Sequence, residues 1–375
     1  MKIRIYPIVI LSAFAIFLDA CKKDVAIPEG DVINIIPEFY KATSSGNYGK
    51  KAPLFNLIAN STAQLVFPQD LDFHPTRPNE LWVLNKDIEA TGGSTVTFTN
   101  PGTKDEKREF RRDGNAWHFM ALPSALSFSN NGNWATSANI LDANHSGGTF
   151  TGPTLWSSDM SIYAMPSGGN GSHLDMLHGS PYTMGIESER DNVFWVFEGY
   201  RGQIVRYDFV ADHGPGNDDH SDGKVHRYPE AAVKRIADVP SHLVLDKDKK
   251  WLYIVDGGNK RVLRMDITTG MKAKGLDLIN EELAEHWEMS GAVVEEFVAP
   301  SFGLNQPCGI DLTANRLFVS DYATGEIICF DIDTHKELNR INTGIKGIAG
   351  IKIGPDGKIW YVNALNGELR RVDPN

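Results

Sequence analysis

The sequence predicts an all-β fold, a six-bladed β-propeller whose last blade is closed by an N-terminal strand. Three observations carry this prediction. An apolar strand ending in an acid or amide, a short turn and a second strand recur at residues 193–208 (VFWVFEGYRGQIVRYD), 251–266 (WLYIVDGGNKRVLRMD), 316–331 (RLFVSDYATGEIICFD) and 359–373, and more loosely at 80–99. Their first strands are rich in β-branched and aromatic residues, as strands prefer. A proline or glycine turn leading into a short apolar strand occurs six times, starting at Pro68, Pro123, Pro181, Pro240, Pro307 and Gly347. Blade repeats run to about 40–50 residues, so the longer intervals require insertions. Finally, the chain after Gly347 has room for only three strands, and a three-stranded blade would leave an open edge.

Each part of the chain can then be placed in order. Lys2 and Arg4 precede an apolar run, residues 5–18, that is too short to span a membrane and reads as a secretory signal. It ends in LDAC, which resembles a bacterial lipobox with Asp19 as a departure. The charged KKD after Cys21 resembles surface-directed lipoproteins of Bacteroidota. Residues 1–20 are therefore expected to be a lipoprotein signal peptide, Cys21 the lipidated (palmitate-bearing) first residue, 21–60 a tether and 61–375 the propeller. The expected location is the outer membrane of the bacterial cell envelope, with the protein a monomer anchored by lipid. AQLVF, residues 63–67, lacks a partner and is expected to supply the missing outer strand of blade 6. Blade 2 has lost the turn signature in NWATSANILDANHSGGTFTGPTLWSS. Residues 275–288, GLDLINEELAEHWE, place Leu278, Ile279, Leu283 and Trp287 at helical spacing and predict a short surface helix inserted in blade 4.

Composition narrows the function classes. Hydrophobic residues make up 41% and charged residues 23%, enough for a folded core. The net charge of −11 excludes a nucleic-acid partner, whose phosphates demand a basic face. Beyond Cys21 only Cys308 and Cys329 remain; they fall on strands A and C of blade 5, too far apart for a disulfide, and read as buried small hydrophobes.

The P-x-G-I starts and D-x-x-x-[GN] turns, clearest in residues 307–331, resemble the NHL-repeat family of six-bladed propellers. The resemblance implies a ligand funnel on the face that carries the D-to-A and B-to-C loops. His118, His173, His178 and His242 precede or open successive inner strands there, so a zinc or copper ion held by these histidines is one expectation. Glu198 and Tyr200 on a neighbouring turn could then carry protons, with Arg201 clamping a carboxylate or phosphate. VPSHLVL at His242 is also similar to the zinc-binding inner strands of peptidylglycine amidating lyases, but LPSAL and QPCGI lack the corresponding histidine, and that activity is not carried over. The acidic stretch DHGPGNDDHSDG offers Asp212, Asn217, Asp218, Asp219 and Asp222 as calcium ligands, though its spacing is not that of an EF-hand and its C-to-D position puts it on the opposite face. No G-x-S-x-G or H-E-x-x-H motif occurs. Two readings follow: a lipoprotein that binds a small molecule, peptide or protein in its funnel, and a metal-dependent hydrolase or lyase using the histidines.

Overall fold

The computed structural model describes residues 36–41, 51–165, 169–217, 219–278 and 280–375. The signal segment, Cys21 and Asp218 lie outside the described residues. The described chain is a ring of six sheets, antiparallel except for one parallel pair at the edge of blade 3. The inner strands are Pro68–Phe73, Pro123–Phe128, Thr183–Arg190, Leu243–Asp246, Pro307–Thr313 and Ile348–Ile353. Each starts at, or within three residues of, a turn marked in the sequence. Strand B is sandwiched between neighbouring blades, so in most blades it reads as an apolar run; every residue of Val193–Glu198 is buried. Between blades 1 and 2 the filling is aromatic, with Trp82, Trp134, Trp156 and Tyr163 in mutual contact.

Ring closure follows the expected design with a different strand. The outer strand of blade 6 is Leu54–Ala59, antiparallel to the C-terminal strand Glu368–Asp373 with Phe55 opposite Val372. Residues 63–67 form no strand; the Val66 and Phe67 carbonyls accept from Asp87 and Lys86 of blade 1 instead. Asn60 caps a 3-10 turn, Ser61–Ala63, by accepting from the Thr62 N–H, and Gln64 and Phe67 adopt positive φ, which ends any extended run. The segment expected to be tether therefore contributes a strand to the propeller. Residues 36–41 also pack on blade 5: Ile36 and Phe39 are buried beside Phe318, and Glu38 pairs with Arg316 at 2.7 Å.

The expected helix at 275–288 is instead part of a hairpin, Met271–Gly275 and Glu285–Ser290. Its second strand pairs in parallel with Lys224–Tyr228, the outer strand of blade 3, and extends that sheet to six strands. An open sheet edge, with its row of unpaired backbone groups, outweighs helical spacing in a segment that can pair with it. Trp287 lies over Gly275 instead of forming a helix face. Cys308 and Cys329 are free thiols, both buried.

Candidate functional site

The acids and amides that end strand B tie each blade to the segment that enters it. Asn85 accepts from the Val66 N–H, Asp256 from Lys234, and Asp321 from Asn305 and Gln306, while Asn363 donates to the Lys346 carbonyl. Glu198 belongs to this set. It is fully buried, accepts from the N–H groups of Tyr200 and Arg201, and is raised above the usual carboxylate range chiefly by burial. Arg201 donates to the Gly179 carbonyl at 3.0 Å, and Tyr200 is 54% exposed with the Arg201 guanidinium over its ring. These three residues thus fasten a turn, Arg201 reaching the backbone next to His178, and among the described residues Glu198 joins no converging group of ligand atoms.

The propeller axis is occupied by charge. Asp70, Asp72, Glu187 and Asp311 of the inner strands surround Lys352, whose ammonium they stabilise strongly. The acids also bridge blades through backbone N–H groups, Asp70 to Leu126, Asp72 to Phe128 and Asp311 to Ile353. Burial pushes Asp70 up to about 8 and Glu187 up to about 7. His242 lies in this cluster. Its Nε2 donates to the Ser124 carbonyl at 3.0 Å, its Nδ1 is 3.5 Å from Asp70, and burial lowers it to about 4.

The other predicted histidines sit nearer the rim. His173 stacks on Phe119 at 3.6 Å and its Nδ1 lies 2.9 Å from the Asn170 carbonyl. His118, on the helical turn Ala116–Phe119, faces Phe150, and its Nδ1 is buried without a hydrogen-bond partner. His178 hydrogen-bonds Glu281 through Nδ1. The four histidines do not form one ligand set: among the described residues, the groups of ligand atoms that converge are His178, His220 and Glu281, and Asp175, His213 and Asp222.

His220 comes from the acidic stretch. That stretch is the C-to-D loop of blade 3, between Gln203–Asp208 and Lys224–Tyr228, but it does not stay on the opposite face. It folds over the rim, where His220 Nδ1 meets Asp175 at 2.7 Å, and Gly216 donates to the His173 carbonyl. Its own oxygens serve the loop. Asp219 accepts from Ser221, Asp222 from Ala211 and His213, and the Asn217 amide donates to the His213 carbonyl. Asp212 is exposed, and among the described residues Asp212, Asp219 and Asp222 do not converge as one group of ligand atoms.

Between these loops lies a cavity of about 350 Å³ lined by Asn115, Trp117, His118, Phe150, His178 and His220, among others. Trp117 is 41% exposed and also lines a neighbouring cavity of about 370 Å³ with Glu89, Ala90 and His145. Gly152 makes the arrangement possible: a Cβ there would lie 1.9 Å from the Leu177 carbonyl oxygen, so only glycine lets the blade 2 loop pass close enough to set Phe150 against His178 at 3.7 Å. In a larger groove of about 740 Å³ near Gly102, the two lining arginines are paired, Arg108 with Glu106 and Arg371 with Asp373. The Trp117 cavity is assembled where blade 2 has lost its repeat signature and where the blade 3 loop and blade 4 hairpin are inserted. That loss was the signal in the sequence; Phe150, His220 and Glu281 carried none individually.

Fold and site together define a six-bladed β-propeller with an aromatic and histidine-lined cavity toward one rim. No family model matches the chain, and no curated protein matches it. Among solved structures, it is similar to an auxiliary nutrient binding protein from Bacteroides thetaiotaomicron, at 10% identity over 89% of this chain and 82% of that one, with a TM-score of 0.54. A protein of the same description from Bacteroides ovatus gives 9% identity over 90% and 82%, with a TM-score of 0.53. A luciferin-regenerating enzyme gives 13% identity over 86% and 95%, with a TM-score of 0.56. At these identities the likeness is one of fold, and at that level the resemblance to NHL-type propellers holds.

Proposed function

We propose that this protein is an envelope-anchored binding protein whose ligand is a small polyhydroxylated nutrient of the saccharide class, held in the Trp117 cavity. The observation that carries this reading is the lining itself. A half-exposed indole and Phe150 offer apolar faces for the C–H face of a sugar ring, while Asn115, Asn144 and the imidazoles offer hydrogen bonds to hydroxyls. The volume lies within the range of small-ligand sites. The nutrient-binding description of two similar folds from Bacteroides supports the same class, and the lipobox-like LDAC supports anchoring through Cys21.

Calorimetry against a panel of oligosaccharides tests the binding. A ligand is expected, and Trp117→Ala should weaken it by roughly tenfold or more, since losing an aromatic anchor costs about 1–2 kcal/mol or above. Unchanged affinity in that variant would move the ligand elsewhere. Anchoring is tested separately: Cys21→Ser should abolish incorporation of labelled palmitate and release the protein from the membrane fraction.

A further inference from the structure

We propose that His178, His220 and Glu281 bind one divalent transition-metal ion of the zinc type. Three inserted or non-repeating segments deliver them: the loop into blade 3, the acidic C-to-D loop and the tip of the blade 4 hairpin. Their ligand atoms lie within 4.8 Å of one another. The Glu281 Oε1 accepts from the His178 backbone N–H at 2.7 Å, which turns Oε2 toward both rings. His178 Nδ1 is hydrogen-bonded to that oxygen, and His220 Nε2 is 3.9 Å from it. Ligands of a tetrahedral zinc, each about 2.0–2.1 Å from the metal, stand about 3–4 Å apart, so a small adjustment admits the ion.

Three further features point to a metal. His220 Nδ1 is 2.7 Å from the fully buried Asp175 carboxylate, the outer contact that fixes a ligating imidazole's tautomer and presents Nε2 to the ion. The ring of His178 is buried, yet its Nε2 has no hydrogen-bond partner while the residue lines the cavity. With the metal on Nδ1, the ring proton sits on Nε2. Charge completes the case. The side chains of Asp175 and Glu281 are both buried, and among the described residues their ion pairs are all with histidines. One dication neutralises both carboxylates without protonating either imidazole. Two nitrogens and one oxygen favour zinc-type ions over calcium or magnesium. Such a three-ligand set leaves a fourth position for water or ligand at the edge of the cavity.

The site shares His178 and His220 with the Trp117 cavity, but it is tested without any sugar, so it can fail or hold independently of the saccharide reading. The full chain, stripped with EDTA, is titrated with Co²⁺ and followed by its visible absorption, then competed with Zn²⁺. One equivalent is expected, displaced by zinc. Glu281→Gln and His220→Gln should each weaken binding by roughly a hundredfold or more, and Asp175→Asn by about 10–100-fold, as loss of an outer partner does. His226→Gln, on the outer strand of blade 3, should leave affinity unchanged. Circular dichroism confirms the fold of each variant, and either ligand substitution suffices if the other does not fold. A folded protein that binds no Co²⁺ or Zn²⁺ overturns the proposal, as does binding that survives both ligand substitutions or that is satisfied by Ca²⁺ alone.

Discussion

Removing Leu54–Ala59 should destabilise the propeller by about 4 kcal/mol and make it aggregate, whereas shortening the chain ahead of residue 36 should leave the melting point unchanged. The strand forms five registered positions with Glu368–Asp373, Leu54 to Asp373 through Ala59 to Leu369. Each backbone hydrogen bond of such a ladder contributes about 1 kcal/mol net. Its side chains add specific ties: Asn56 donates to Asp373, and the Arg370 guanidinium donates to the Phe55 carbonyl at 3.2 Å. Without the strand, Glu368–Asp373 becomes the bare edge of a three-stranded blade, which templates pairing between molecules. Thermal melting and light scattering of the two truncations read the difference. Equal melting points would mean that blade 6 closes without this strand. A third truncation, ahead of residue 51, should fall between them, because it removes Ile36, Phe39 and the Glu38–Arg316 pair from blade 5 but spares the clasp.

The six blades were legible because each repeats a local pattern: a Pro or Gly turn, an apolar inner strand, and a second strand ended by an acid or amide. Local rules of turn chemistry and strand propensity suffice for those features. The clasp was legible as a necessity but not as a segment. LFNLIA and AQLVF both suit a strand, and what separates them is the Asn60 cap and the positive φ at Gln64 that place the second in a turn. The rim site was least legible. Glu281 meets His178 across 103 residues of sequence, and it does so only because the hairpin behind it is captured by the edge of blade 3. Read alone, its segment shows helical spacing, and Leu278 on the expected apolar face is 52% exposed. The acidic stretch was assigned its face by strand order, correctly for its ends, but loop length let His220 cross the rim. His242 was placed at an inner strand as expected, and burial beside Asp70 then gave it a partner within the axial cluster.

That cluster sets the second large effect. Lys352→Met should cost about 3–5 kcal/mol of stability at pH 8, the usual penalty for removing one partner of a buried charge set, and markedly less at pH 5. Lys352 lies amid Asp70, Asp72, Glu187 and Asp311, with its Nζ 3.9 Å from Glu187. Burial holds Asp70 at about 8 and Glu187 at about 7, above their unfolded values, even with the lysine present. The folded state therefore binds more protons than the unfolded chain between about pH 4 and 8, and these two groups make stability fall as pH rises through that window. Lys352 limits that fall by lowering both; without it they rise further, and ionising them at pH 8 costs more. At pH 5 both are protonated in either protein, so less is lost. His242 works in the opposite sense: held at about 4 chiefly by burial, it removes stability as pH falls from its ordinary 6.5 toward 4, and because Lys352 adds to that lowering the variant should lose less there, which further shrinks its deficit at pH 5. Urea unfolding of the two proteins at pH 5 and pH 8 measures the difference directly. A loss of equal size at both pH values would show that Lys352 serves the axis by packing alone, and that the carboxylates around it are neutralised some other way.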